Sequence, residues 1–192
     1  MIKPRFIAFV AASVDGRISL HAKKRPDWTS PEDWEFFQKS LAKMDAVLVG
    51  RNTYEAAKDR LKNRNTVVFS RKVKTLKRYG SVCFVNPTTI DLRNIFEGYK
   101  TIGILGGTEI YGFMLKQKLL DEIFVTLEPL LFGRGKIMIT GMSKTTKLRL
   151  ISVKKLNRQG SLLLHYRVEY DSPQAVNGAS QKQQSALRKD HK

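Results

Sequence analysis

Asp33 is the first residue in this chain whose type and setting together could do chemistry. It lies in the segment Ser30 to Met44 (SPEDWEFFQKSLAKM), three residues after a Ser-Pro start. An acid in a first helical turn meets the positive end of the helix dipole. If it is also partly buried, its pKa rises, so it can hold a proton near neutral pH or accept paired N–H bonds from a planar heterocycle. Three further segments are built for anions. Gly50-Arg51-Asn52-Thr53, Ser70-Arg71-Lys72 and Gly106-Gly107-Thr108-Glu109 each follow directly on an apolar run (AVLV, TVVF and TIGIL).

Such runs read as strands, and ligands of open parallel sheets sit outside the strands' carboxyl ends. Two of the three turns also open helices, whose free N–H groups attract phosphate. Gly106 and Gly107 let a pyrophosphate approach the backbone. Arg51 and Arg71 supply forked donors, and Ser70-Arg71 suits a terminal phosphomonoester such as the 2′-phosphate of NADPH. The plain alternative is that glycines end strands and arginines at a sheet edge are solvated. The G-x-G-x-x-G fingerprint is absent, which disfavours an ordinary Rossmann site.

Around these turns the pattern predicts strands over 6–13, 46–50, 66–69, 81–85, 101–105 and 122–132, the last interrupted at Pro129. Helices are predicted over 30–44, 52–61, about 90–97 and 108–120. Trp34, Phe37 and Leu41 fall on one face of the first helix. Residues 148–156 and 161–170 predict a hairpin turning at 157–160. Strand–helix alternation closed by a hairpin implies an α/β sandwich with a mostly parallel central sheet and an antiparallel C-terminal edge. Residues 1–170 read as one domain. From about Asp171 large apolar residues become scarce, predicting a disordered basic tail over 171–192.

Composition narrows the class. One cysteine, Cys83, excludes an internal disulfide framework, and with three histidines it disfavours structural zinc, so no metal is expected. Cys83, between Val and Phe in a strand, reads as a buried inert thiol, and His165 has no evident partner. No apolar run is long enough for a membrane helix, and the N-terminal apolar stretch is too short for a signal peptide, pointing to the cytoplasm. The net charge is +18; without the last 21 residues 31 basic residues still face 16 acidic ones. That excess favours polyanionic partners, from nucleic acid to phosphorylated small molecules. No helix-turn-helix, zinc-finger or aromatic RNA-binding signature is present, which disfavours nucleic acid.

The ordered set of motifs resembles the dihydrofolate reductase-like superfamily. It runs Trp28-x4-Asp33 and Phe37, Gly50-Arg51-x-Thr53, Arg60-x3-Arg64-x5-Ser70-Arg71, then Leu105-Gly106-Gly107-x-Glu109-Ile110-Tyr111 and Leu119 to Thr126. The ends resemble the reductase domain of the riboflavin-pathway deaminase-reductases: Ala11-Ala12-Ser13-Val14-Asp15-Gly16, and Pro129 to Gly135 as P-x-x-x-G-x-G. One departure stands out. Where those enzymes carry D-D-P-x-L-x-x-R, this chain has Glu55-Ala56-Ala57-Lys58-Asp59-Arg60-Leu61.

The resemblance implies a three-layer sandwich and hydride transfer from NADPH to a small-molecule substrate. It implies that Gly50, Arg51, Thr53, Ser70 and Arg71 hold the adenosine phosphates. Gly106, Gly107, Thr108 and Glu109 would wrap the pyrophosphate and ribose, with Ala12 and Ile18 beside the nicotinamide. Asp33 would be the catalytic carboxylate, Trp28 would orient a water or substrate, and Phe37, Arg64 and Thr126 would complete the substrate site. Two substrates compete: the ribosylamino-pyrimidine phosphate of riboflavin synthesis, ranked first, and the pterin dihydrofolate. A fold that binds NADPH without turnover is a further alternative. Riboflavin-type relatives dimerise through sheet edges whereas folate reductases are monomers, so a homodimer stays open.

Overall fold

The computed structural model describes residues 3–20, 27–142 and 144–170. The tail expected over 171–192 and His21 lie outside the described residues. The elements, in order, are β1 (Arg5–Ser13), β2 (Arg17–Ser19), α1 (Pro31–Ala42), β3 (Ala46–Gly50), α2 (Arg51–Leu61), β4 (Thr66–Phe69), β5 (Leu76–Tyr79) and β6 (Val82–Val85). They continue with α3 (Leu92–Ile95), β7 (Thr101–Ile104), α4 (Thr108–Lys116), β8 (Glu122–Glu128), β9 (Lys136–Ile137), β10 (Lys147–Lys155) and β11 (Leu162–Glu169).

Nine strands form one sheet in the order β10-β11-β8-β1-β7-β3-β4-β6-β5. From β8 through β6 every pairing is parallel. The β10–β11 hairpin closes one edge antiparallel, as the sequence predicts. The other edge is also antiparallel, through β5. β2 and β9 pair separately into a two-stranded flap. These three short strands have no apolar alternation to announce them; Leu76 to Tyr79 are exposed at every position.

Central strands are buried on both faces, which is why Ala46 to Val49 read as an unbroken apolar run. Alternation sends successive side chains to opposite layers. Phe6, Ala8, Val10, Ala12, Leu48 and Ile102 pack with Leu92 of α3 and Ile110, Tyr111, Met114 and Leu115 of α4. Val47, Val49 and Val68 pack on the other side with Leu41 of α1 and Tyr54 and Leu61 of α2. The result is the expected three-layer sandwich.

Two expectations change. β8 stops at Glu128 instead of reaching Phe132, because Pro129 has no N–H for a ladder bond and the chain turns there, Leu130 N–H donating to the Glu128 carbonyl at 2.8 Å. His165 does have a partner. Its Nε2 lies 2.9 Å from Glu122 Oε2, and its ring stacks on Phe124 at 3.9 Å. Cys83 is buried in the core as expected, and burial pushes its thiol up.

Candidate active site

A cavity of about 840 Å³ lies between the sheet and the layer of α1 and α2, reaching the carboxyl ends of β1, β3 and β7. It explains an oddity of α1. Only Asp33 and Leu41 of this helix are buried, because much of its inward face borders space instead of sheet. Trp34, Phe36 and Phe37 all line that space; Trp34, at its mouth, is 42% exposed and carries the Arg60 guanidinium on its ring at 4.5 Å.

The inner end of the cavity is aromatic. Phe9 of β1 and Phe124 of β8 stack nearly parallel, at 5.5 Å and 7°, and Phe36 closes on Phe124 at 5.4 Å. Strand register produces this wall: Phe9 lies opposite Phe124, and Ala11 opposite Thr126. Asp33 enters from α1. Ser30 caps that helix, its Oγ accepting from Asp33 N–H at 3.3 Å.

Asp33 is 8% exposed. Burial pushes its carboxyl pKa upward, helped by the charge of nearby Glu128; hydrogen bonds from the Thr126 and Thr29 side chains pull the other way. Desolvation wins. A carboxyl in this setting keeps its proton to higher pH than a free one, and it faces a slot walled by flat aromatic rings.

At the opposite end the three predicted turns meet. Gly50 N–H donates to the Gly106 carbonyl at 2.8 Å. Arg51 donates to Ser70 Oγ at 3.4 Å, and Arg71 pairs with Glu109 at 3.6 Å across the loop tips. Gly50 and Gly107 cap α2 and α4 without a side chain, so neither cap competes for the first-turn N–H groups. Gly106 has φ +99°, and a Cβ there would sit 3.0 Å from the buried Tyr111 hydroxyl. Glycine-only backbone over two open helix starts, with two arginines beside them, fits a dinucleotide diphosphate.

Of the predicted residues, Ile18, Asp33, Phe37, Thr53, Arg64, Gly106, Gly107, Thr108 and Thr126 line the cavity. Gly50, Arg51, Ser70, Arg71 and Glu109 adjoin its rim through the contacts above. Two do not reach it. Ala12 points into the α4-side core, and alternation gives the wall to Ala11 instead. Trp28 packs edge-on against Phe132 at 4.9 Å, while its neighbours Asp27 and Thr29 line the cavity.

The sequence reading missed Phe9, Phe36, Phe124, Arg60 and Lys136, all of which line the cavity. Lys136 follows the G-x-G loop, its one local signal. Asp15, from the Ala11-to-Gly16 motif, fastens that loop. It accepts from Ser13 Oγ at 2.5 Å and from Phe132 and Gly133 N–H at 3.0 and 2.8 Å, bonds that lower its pKa to about 2.

The dihydrofolate reductase family profile matches residues 6–127, a span that begins in β1, ends in β8 and includes both ends of the cavity. The chain belongs to the dihydrofolate reductase family. Across 178 residues it is 29% identical to the uncharacterized protein YwjB of Bacillus subtilis (strain 168), covering 83% of this chain and 95% of that one. Among solved structures it superposes on dihydrofolate reductase from Enterococcus faecalis in complex with NADP(H) and RAB-propyl, with TM-score 0.61 and 20% identity, covering 88% and 99% of the two chains. It also superposes on the diaminohydroxyphosphoribosylaminopyrimidine deaminase/5-amino-6-(5-phosphoribosylamino)uracil reductase of Thermotoga maritima, with TM-score 0.63 and 19% identity, over 87% of this chain and 57% of that one. At these identities the superpositions establish the fold. The family and its neighbours make the chain a dihydrofolate reductase-like reductase. No described helix is long and apolar enough to cross a membrane.

Proposed function

We propose that the chain is a cytoplasmic NADPH-dependent reductase of amino-pyrimidine-type rings, with the ribosylamino-pyrimidine phosphate of riboflavin synthesis as the first-ranked substrate. The observation that carries this reading is the buried Asp33 carboxyl facing an aromatic slot, with glycine-capped, arginine-flanked helix starts at the far end of the same cavity. NADPH, when bound, supplies a hydride from its nicotinamide ring. Arg51, Ser70 and Arg71 hold the adenosine phosphates, and the first turns of α2 and α4 hold the diphosphate.

Ile18 and Ala11 flank the nicotinamide end. Phe9, Phe36, Phe37 and Phe124 hold a flat ring and exclude water, which strengthens the electrostatics of the acid. Asp33 gives its proton to the nitrogen or oxygen left electron-rich when the neighbouring carbon is reduced. It becomes a carboxylate, and water reprotonates it. Thr126 and Thr29 orient it throughout.

At the mouth, Arg60 and Arg64 face the cavity and also line a smaller polar hollow with Asp45, Asn63 and Asn65. The acids of α2 are occupied elsewhere, Glu55 by Arg51 and Asp59 by Lys62. The two guanidinium groups suit an anionic substrate tail. Dihydrofolate is the second reading, favoured by the family profile and by Asp33 with Thr126. Parallel assays of NADPH oxidation with each substrate test the proposal. Turnover of the pyrimidine phosphate alone supports it, turnover of dihydrofolate alone selects the second reading, and NADPH-independent, salt-sensitive DNA or RNA binding without turnover overturns both.

A homodimer belongs to the same proposal. β10 is exposed along its whole length, with Leu148, Leu150, Ile151 and Val153 between 45% and 53% exposed on an unpaired sheet edge. Light scattering is expected to give twice the chain mass, and Leu150→Lys to give the monomer.

A further inference from the structure

Glu128, at the end of β8, is 3% exposed, and the mechanism above does not use it. Its Oε1 accepts from Ser30 N–H and Ser30 Oγ–H, each at 2.8 Å, and its Oε2 accepts from Ser161 Oγ–H. Asn157 holds Ser161 in turn, donating to Ser161 Oγ at 3.0 Å and accepting from Ser161 N–H at 3.1 Å. Both carboxylate oxygens act as acceptors, the arrangement that suits the ionised form. Among the described residues no lysine or arginine pairs with it.

The network ends where the chemistry begins. Ser30, which gives Glu128 two of its three donors, is the N-cap whose hydroxyl accepts from Asp33 N–H. Thr126, which donates to Asp33, lies two residues before Glu128 on the same face of β8. Glu128 therefore holds the cap of the acid's helix and shares a strand face with Thr126, without lining the cavity.

We propose that Glu128 is a positioning residue for Asp33: it clamps the capped start of α1 to the end of β8 and to Ser161, just before β11, and sets a fixed negative charge behind the Asp33 carboxyl. This rests on the reading of Asp33 as the proton donor. A buried negative charge at that place opposes ionisation of its neighbour, as paired carboxylates do when their titrations are driven apart. The direction agrees with the upward push that Glu128 gives Asp33. The other charged groups facing the cavity are Asp27 before α1, Lys136 on β9, and Arg60 and Arg64 at the end of α2. Glu122 lies farther down the same face of β8 and is matched by Arg5 at 2.7 Å and His165 at 2.9 Å. None of these is hydrogen-bonded to the Ser30 cap, so Glu128 is the charge coupled to Asp33 by structure.

The test is an infrared pH titration of the full chain without coenzyme or substrate, following the carboxylic C=O band that Asp33→Asn removes. Glu128→Gln is expected to move its midpoint to lower pH by about half a unit or more. In active protein the pH profile of kcat should move the same way, with KM changed less than about twofold. Ser161→Ala, which weakens the clamp and leaves the charge, should lower the melting temperature and leave the midpoint nearer the parent value. If Glu128→Gln does not fold, Glu128→Asp, which draws the charge back, is read for a smaller shift in the same direction. An unchanged midpoint in the folded variant overturns the proposal. The titration involves no turnover, so failure of the reductase reading shows instead as full activity in Asp33→Asn, or as no activity in the parent chain.

Discussion

Replacing Asp33 by asparagine should stabilise the protein while removing its activity, and the stabilisation should depend on pH. Asp33 is an acid whose pKa is raised in the folded state, first by burial and then by Glu128. Between its ordinary value of 3.8 and its folded value the native protein binds more protons than the unfolded chain. Stability therefore falls as pH rises through that window, and the full penalty persists above it. Each unit of elevation costs about 1.4 kcal/mol at neutral pH. Asparagine never ionises, so it escapes this cost. The Thr126 and Thr29 hydroxyls can still donate to its amide oxygen, so at most about one net hydrogen bond of roughly 1 kcal/mol is lost, at every pH alike. For a domain of this size 1 kcal/mol is about 2–4 °C in Tm. Melting curves of both proteins at about pH 4 and pH 7 should show the variant gaining on the parent by a few degrees as pH rises, and NADPH oxidation should fall by roughly 10²–10⁴. A Tm difference that is the same at both pH values would refute the burial argument. An undiminished rate would take Asp33 out of the chemistry.

Tyr111→Phe removes a hydroxyl that donates to the Phe9 carbonyl at 2.6 Å in a fully buried site. The unpaired carbonyl should cost about 1–3 kcal/mol, read as a lower denaturation midpoint in urea at unchanged slope. Gly112→Ala places a Cβ 1.7 Å from the Thr140 carbonyl oxygen. The clash outweighs the helix-propensity gain of up to about 1 kcal/mol and pushes the chain after β9 off α4. It should break the 3.0 Å bond from Thr108 Oγ to the Ile137 carbonyl and weaken NADPH binding by calorimetry. Arg71→Ala should weaken NADPH about tenfold or more while barely changing NADH, since the guanidinium is assigned to the 2′-phosphate; equal losses for both coenzymes would remove that assignment.

What the sequence made legible depended on range. Runs buried on both faces, such as Ala46 to Val49, and capped helices, such as the Ser30-Pro31 start of α1, carry their signal within a few residues, and those elements lie where the pattern predicts. The short edge strand β5 carries none: Leu76 to Tyr79 are extended because β6 offers a free ladder, a property of the neighbour. The choice between Ala11 and Ala12 was equally invisible, because both are small residues in an apolar run. Which one meets the cavity is decided by pairing with β8, more than a hundred residues away. His165 looked partnerless for the same reason, its partner Glu122 being 43 residues away, and the bonds of Glu128 reach 98 and 33 residues with no local signal either.

Those distant pairings make the site a single object. Read across the sheet, β1 contributes Phe9, Ala11 and Ser13 to one face, and β8 sets Phe124, Thr126 and Glu128 directly beside them. β11 adds His165 opposite Phe124 and Leu163 opposite Thr126. The rows therefore run from an aromatic wall, through a small residue beside a hydroxyl, to a buried acid, and α1 lays Asp33 over the last two. A register slip of one residue in β8 would turn Phe124, Thr126 and Glu128 into the α4-side core and bring Ile123, Val125 and Leu127 to the cavity. That exchange would bury two polar groups without partners and strip Asp33 of Thr126 and of the charge behind it. The packing that fixes the fold and the chemistry that needs a buried Asp33 thus select the same register, which is why the acid can sit 8% exposed, with no ion pair to it among the described residues, and still be held in place.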